Sequence, residues 1–224
     1  MTTSPRYVEA LGWAEQLHRH QRRRGKPVPF LSHLLSVSAM VWEDAGDEDQ
    51  AIAGLLHDAI EDAGQSHASI AERFGARVAD IVWDCTDPGK VPGPGNKPPW
   101  LERKSRFVAT LAHLPQDSLL VTAADKAHNC RDRMLDAGLD PQRWDRLFPR
   151  GFDNLLWYFW SLHRELHRRI PESRSVARLG DSVGKLLGSR ELLERLPAGT
   201  DPEEWVAGHL QRAGPVAGET EARP

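Results

Sequence analysis

His57 and Asp58 adjoin each other, and Glu61 and Asp62 follow three and four residues later, within Gly54-Leu-Leu-His-Asp-Ala-Ile-Glu-Asp62. On a helix turning about 100° per residue, these four polar side chains fall within an arc of about 140°. Leu55, Leu56, Ala59 and Ile60 occupy the remainder. Carboxylates crowded together repel each other and are tolerated mainly in water or around a cation. His33 lies 24 residues before His57, and Asp125 lies 67 residues after Asp58. Singly, each of these residues has a bland reading, such as a capping histidine or carboxylates solvating a helix end before Ala63-Gly64. Together, two imidazoles and two carboxylates on separate helices form a ligand set suited to manganese, iron or zinc rather than calcium. Such a cation lowers the pKa of a bound water, and neighbouring carboxylates can hold or deprotonate that water. The chemistry is metal-assisted hydrolysis.

Helical periodicity recurs throughout, and strand signals are nearly absent. Ser4-Pro5 is a cap and first-turn pair for a helix to about Arg22, with Val8, Leu11, Ala14 and Leu17 as its apolar stripe. Ser32 can cap a helix from His33 to about Glu43, and Asp47 a continuous helix that carries His57 to Asp62. Short helices are expected over Ala68–Phe74 and Ala76–Asp84. Asp87 to Pro99 contains five prolines and three glycines and reads as an irregular loop. Further helices are expected near Pro99–Leu114, Leu119–Asp136 and Phe152–Ile170, with a short one starting at Asp140-Pro141 and a weaker pattern from Ser173 to Leu196. The fold expected is all-α, a single-domain array of about eight to ten helices over residues 1–196. Residues 197–224 read as a flexible tail with a turn or two around Trp205.

The order His33, His57-Asp58, Asp125 resembles the HD superfamily of metal-dependent phosphohydrolases. With Glu61 and Asp62, His-Asp-x-x-Glu-Asp is similar to the hydrolase domain of RelA/SpoT homologues, which remove the 3′-pyrophosphate from guanosine tetraphosphate. Three further stretches carry the resemblance. His18, Gln21 and Arg23, followed by Gly25, Pro27 and Phe30, match the segment that leads to the first histidine ligand. Val28 and Pro29 intervene in that segment, and its phosphate-binding arginine is ambiguous among Arg22, Arg23 and Arg24. Ala124-Asp-Lys-Ala-His-Asn129 is similar to the segment whose aspartate closes the metal site. Leu156-Trp-Tyr-Phe-Trp160 resembles a late aromatic stretch. The resemblance implies His33, His57, Asp58 and Asp125 as metal ligands and Glu61 and Asp62 as the catalytic pair. It implies Arg23, Arg24, Asn129 and Tyr158 as contacts to substrate, with His128 structural and Lys104 a weaker phosphate candidate. It further implies a stand-alone small alarmone hydrolase using manganese or another divalent metal, with no room for a synthetase or regulatory domain.

The 224 residues suffice for one sizeable core, and a net charge of −3 supplies no global attraction for nucleic acid or anionic membrane. The longest apolar run, Leu155 to Trp160, is far short of a membrane span, and no apolar segment follows Met1 to suggest secretion. Cys85 and Cys130 read as buried free thiols in a reducing cytoplasm. No identifiable residue reads a base edge. Adenosine analogues, the 2′-phosphate of NADPH, a deoxynucleotide monophosphate, or a non-catalytic nucleotide sensor therefore remain open. Oligomeric state is not legible.

Overall fold

The structure, a computed structural model, describes residues 3–87, 98–139 and 151–213. Most of the expected Pro/Gly loop and the helix expected from Asp140-Pro141 lie outside these residues. The described chain is helical: α1 (Pro5–His18), α2 (Leu31–Glu43), α3 (Glu48–Leu56), α4 (Ala59–Ala63), α5 (His67–Phe74), α6 (Ala76–Cys85), α7 (Trp100–Thr110), α8 (Gln116–Leu139), α9 (Phe152–Arg169), α10 (Arg174–Leu187), α11 (Arg190–Leu193), α12 (Pro202–Ala207) and α13 (His209–Ala213). Nine of these have eight or more residues, and the others are single turns or little more. Among the described residues, extended pairing is limited to one isolated antiparallel bridge between Arg22 and Pro29.

Two apolar clusters share α8. One gathers α1 to α6 around Leu34, Ile52, Leu55 and Val82 and takes in Val121 and Ala124 of α8. The other gathers α7 and α9 to α12 around Phe107, Leu156, Leu162 and Leu179 and takes in Leu119, Ala123, Ala127 and Cys130. The longest helix is therefore buried on two sides, and Asp125, Lys126, Asn129 and Arg133 face the cavity between the clusters. Among the described residues, no helix is long and apolar enough to cross a membrane. Cys85 and Cys130 are free and buried, and burial pushes their thiols up to about 11 and about 12.

Three expectations are corrected. First, α1 stops at His18, and its inner face is Ala10, Trp13, Ala14 and His18, while Val8 is 62% exposed. Trp13 packs on Phe74 at 5.5 Å, and the small Ala10 and Ala14 let the helix approach, so the largest ring decides which face turns inward. Beyond His18 the chain enters the Arg22–Pro29 bridge, with Arg23 N–H donating to the Val28 carbonyl at 2.8 Å. Second, the helix capped by Asp47 is not continuous through Asp62. It breaks at His57-Asp58 because His57 Nδ1 donates to the Gly54 carbonyl at 2.9 Å, the acceptor that a continuing helix would offer to the Asp58 N–H. Third, the segment expected as a flexible tail is docked as far as Ala213, its turns around Trp205 forming α12 and α13. Val206 lies in the core and His209 Nε2 bonds Asn154 Oδ1 at 2.7 Å, whereas residues 214–224 lie outside the described chain.

Gly54 lets α2 and α3 touch. A Cβ there would lie 3.1 Å from Ser38 Cα, a backbone atom that cannot swing aside. This contact sets His33 on α2 against His57. Helix propensity alone favours alanine by about 1 kcal/mol, yet overpacking costs about 1–3 kcal/mol. Gly54→Ala should therefore lower the melting temperature by a few degrees. A higher melting temperature would show that the helix contact is looser than it is drawn.

Candidate active site

Three elements deliver four buried ligand-type atoms to one point. His33 comes from the third residue of α2, His57 and Asp58 from the break between α3 and α4, and Asp125 from the middle of α8. His33 Nε2 lies 3.2 Å from His57 Nε2, 3.2 Å from Asp125 Oδ1 and 3.7 Å from Asp58 Oδ2. His57 Nε2 lies 3.1 Å from Asp58 Oδ2 and 3.5 Å from Asp125 Oδ1. Atoms bound about 2.1 Å from one shared cation are spaced by about 3–3.5 Å. The His33, His57 and Asp58 donors fit a single divalent ion, and Asp125 Oδ1 stands against both imidazoles.

The far sides of both rings are also fixed. His57 Nδ1 must carry its hydrogen, because a carbonyl only accepts, and its Nε2 is thereby left facing the cluster. His33 Nδ1 pairs with His128 Nδ1 at 2.9 Å. Burial, with His33 and Arg23 nearby, pushes His128 down to about 4, so its neutral ring can accept from His33. His128, expected to be structural, thus acts one step behind the cluster. Its spacing from Asp125 offered no cue, because its partner comes from a different helix.

Burial alone would lower His57, but Asp58 and Asp125 outweigh it and hold the imidazole well above its ordinary value. Burial would likewise raise Asp125, yet Lys126, 2.5 Å away, and His57 hold it well below the usual carboxylate range. Asp58 is lowered too, with His57 as the cause that overcomes burial. His33 is lowered by burial.

Glu61 and Asp62 sit on α4, which Gly64 closes with a left-handed φ of 64°. Asp58, Glu61 and Asp62 each offer an oxygen within a 4.8 Å cluster. Two contacts set this turn. The Asp87 N–H donates to Glu61 Oε1 at 2.6 Å, and Gln21 Nε2 donates to the Asp62 carbonyl at 2.7 Å. Asp87 is itself held by Arg103 at 2.6 Å, both side chains only 4% exposed, and by Lys104 at 3.0 Å. Asp87 and Arg103 escaped sequence reasoning because one begins a Pro/Gly loop and the other stands beside Lys104, the residue of that helix the resemblance pointed to.

All of this borders a cavity of about 470 Å³. Arg23, Arg24, Asn129 and Tyr158 line it, as do Asp58, Glu61, Asp62 and Asp125, whereas Arg22 does not. Arg23 Nη2 donates to Asn129 Oδ1 at 2.8 Å and pairs with Asp132 Oδ2 at 2.9 Å, and Asn129 Nδ2 donates on to Asp125. The hydroxyl of Tyr158 is buried without a hydrogen-bond partner. Lys104, rather than standing free for a ligand, is paired with Asp87 and lies 5.1 Å from the Tyr158 ring centroid.

A profile of the HD domain matches residues 10–143. The chain belongs to the HD-domain family. Within this family, the HD domain is 33% identical over 146 residues to the Xenopus tropicalis guanosine-3′,5′-bis(diphosphate) 3′-pyrophosphohydrolase MESH1, covering 63% of the chain and 78% of that relative. It is 34% identical over 128 residues to the Homo sapiens protein of the same name, covering 56% of the chain and 68% of the relative. The chain also superposes, with a TM-score of 0.66 and 25% identity, on a solved structure described as a metazoan orthologue of SpoT that hydrolyzes ppGpp. That match covers 83% of this chain and 97% of the other.

With His57 held as an imidazolium between Asp58 and Asp125, a cation bound by this HD domain must displace a proton. His57 is raised, so its proton is present below its folded pKa and is removed more easily as pH rises. Metal uptake should release protons and strengthen with pH across the neutral range. Calorimetry in buffers of different ionisation enthalpy reads this directly, and affinity independent of pH would contradict it. Asp58→Ala should abolish measurable metal uptake.

Proposed function

We propose that the protein is a manganese-dependent hydrolase of guanosine tetra- and pentaphosphate, releasing pyrophosphate from the 3′ position to leave GDP or GTP. One observation carries the reading. His33, His57, Asp58 and Asp125 converge beside the Glu61-Asp62 pair, and Asp58, Asp125 and that pair line a cavity that also presents arginines and lysines. Among the family's relatives, those named above are pyrophosphohydrolases of this alarmone, which favours the guanosine substrate. Buried free thiols support a reducing, cytoplasmic setting.

His33, His57, Asp58 and Asp125 would hold the cation, and two carboxylates in the set favour manganese, with other divalent ions as substitutes. When bound, the ion supplies Lewis acidity toward a phosphate oxygen and acidifies water. The chain's own residues do the rest. Glu61, fixed by the Asp87 N–H, and Asp62, fixed through its carbonyl by Gln21, orient water and take its proton. The water oxygen bonds to the phosphorus attached to the ribose 3′ oxygen, the phosphorus–O3′ bond breaks, and the proton ends on that oxygen. Arg23, pinned between Asn129 and Asp132, presents a planar fork of donors to phosphate. The unpartnered Tyr158 hydroxyl offers one further hydrogen bond to the nucleotide.

Stripped of metal and given guanosine tetraphosphate, the protein should be inert, and adding manganese should yield GDP and pyrophosphate on chromatography. Intact guanosine substrate, alongside turnover of adenosine analogues or NADPH, would move the reading to those nucleotides. Glu61→Gln should keep metal binding and lose about 100-fold or more in turnover. Full turnover in a Glu61→Ala, Asp62→Ala double variant would remove these residues from the chemistry.

A further inference from the structure

The cations around the cavity are not equivalent. Six line it: Arg23, Arg24, Arg103, Lys104, Lys126 and Arg133. Four are matched by a carboxylate, with Lys126 on Asp125, Arg103 and Lys104 on Asp87, and Arg23 on Asp132. Among the described residues, Arg24 and Arg133 have none within salt-bridge distance. The acids nearest Arg133 along α8 are engaged elsewhere, since Lys26 takes Asp132 at 2.5 Å and Asp136 at 2.8 Å. Arg24 is exposed at the rim. Arg133 is drawn in, its guanidinium carbon 6.0 Å from the Phe159 ring centroid. Burial, with Arg23 and Arg24 as like-charged neighbours, pulls Arg133 below the ordinary arginine value. A drawn-in guanidinium without a counter-charge costs free energy unless an anion meets it.

Its position on α8 says which anion. Asp125, Asn129 and Arg133 recur every fourth residue, so they wind slowly along one face. At about 1.5 Å per residue, Arg133 stands about 12 Å along the axis from Asp125. The carboxylates of the cluster therefore border one end of the cavity, and the other holds Arg133, which has no carboxylate partner among the described residues. A nucleoside bearing phosphates on both its 3′ and 5′ oxygens matches that polarity and that span.

We propose that Arg133, with Arg24, is a subsite for the 5′-phosphate chain and sets the enzyme's preference for its length. This rests on the reading above, in which the 3′ phosphates lie at the cluster. Each added 5′ phosphate brings charge toward a half-buried guanidinium, whose donors bind an anion more strongly than a fully solvated one would. Contact with Phe159 orients the fork without neutralising it.

The test compares kcat/KM of the full chain on guanosine 3′-diphosphates carrying a 5′ mono-, di- or triphosphate. The parent should improve along the series, and Arg133→Gln and Arg133→Leu should flatten it. The variants should lose about tenfold or more on the di- and triphosphate and only a few-fold on the monophosphate. Arg133→Lys should restore part of the preference, and melting temperatures report whether the Phe159 contact is merely structural. An unchanged slope in folded variants would overturn the subsite. Should the parent turn over none of the three, the function proposed above fails, and inorganic triphosphate becomes the probe. Calorimetric binding at least tenfold tighter to the parent than to Arg133→Gln would still support the subsite, and equal binding would refute it.

Discussion

Two buried imidazoles and two carboxylates share one point, and such groups cannot leave water together without something to bind them. Each carboxylate would carry a desolvation cost of several kcal/mol if alone. The cluster offsets that cost by holding a proton on His57 between Asp58 and Asp125, or by exchanging it for a cation. Everything nearby serves to hold the two imidazole Nε2 atoms 3.2 Å apart, with an oxygen of Asp58 and of Asp125 3.1–3.7 Å from each. Gly54 admits α2 against α3, His128 and the Gly54 carbonyl turn the two rings, and Lys126 and Asn129 bind the remaining capacity of Asp125.

α8 makes this possible because it belongs to both apolar clusters at once. Its small residues, Ala123, Ala124 and Ala127, let helices close on two sides, while Asp125, Asn129 and Arg133 emerge into the cleft. Helix packing behind and a polar face in front fix where Asp125, Asn129 and Arg133 stand. The Glu61-Asp62 turn is tied in the same manner, from α1's end through Gln21 and from α6's end through Asp87. Glu61-Asp62 and the histidine–carboxylate cluster are therefore held by different contacts.

What was legible in the sequence follows from this division. The quartet could be read because residue type and order alone define it, and the all-α fold because periodicity reports buried helix faces. The break at His57-Asp58 could not be read, since it arises when an imidazole nitrogen takes a backbone acceptor, and periodicity does not register that competition. The ambiguity among Arg22, Arg23 and Arg24 needed the bridge to Pro29, which turns Arg22 away from the cavity. The role of Arg133 depends on which neighbouring acids are already occupied, a property of three elements rather than one. The residues after Pro197 misled for a different reason. Their composition is loop-like, yet the single buried Val206 and the His209–Asn154 bond suffice to dock them on α9.

The most direct measurement is anomalous diffraction at the manganese edge from crystals of the protein grown with that metal. The account predicts one peak within about 2.0–2.4 Å of His33 Nε2, His57 Nε2 and one oxygen each of Asp58 and Asp125. A peak held instead by Asp58, Glu61 and Asp62, or no peak with the four groups still bonded to each other, would contradict it.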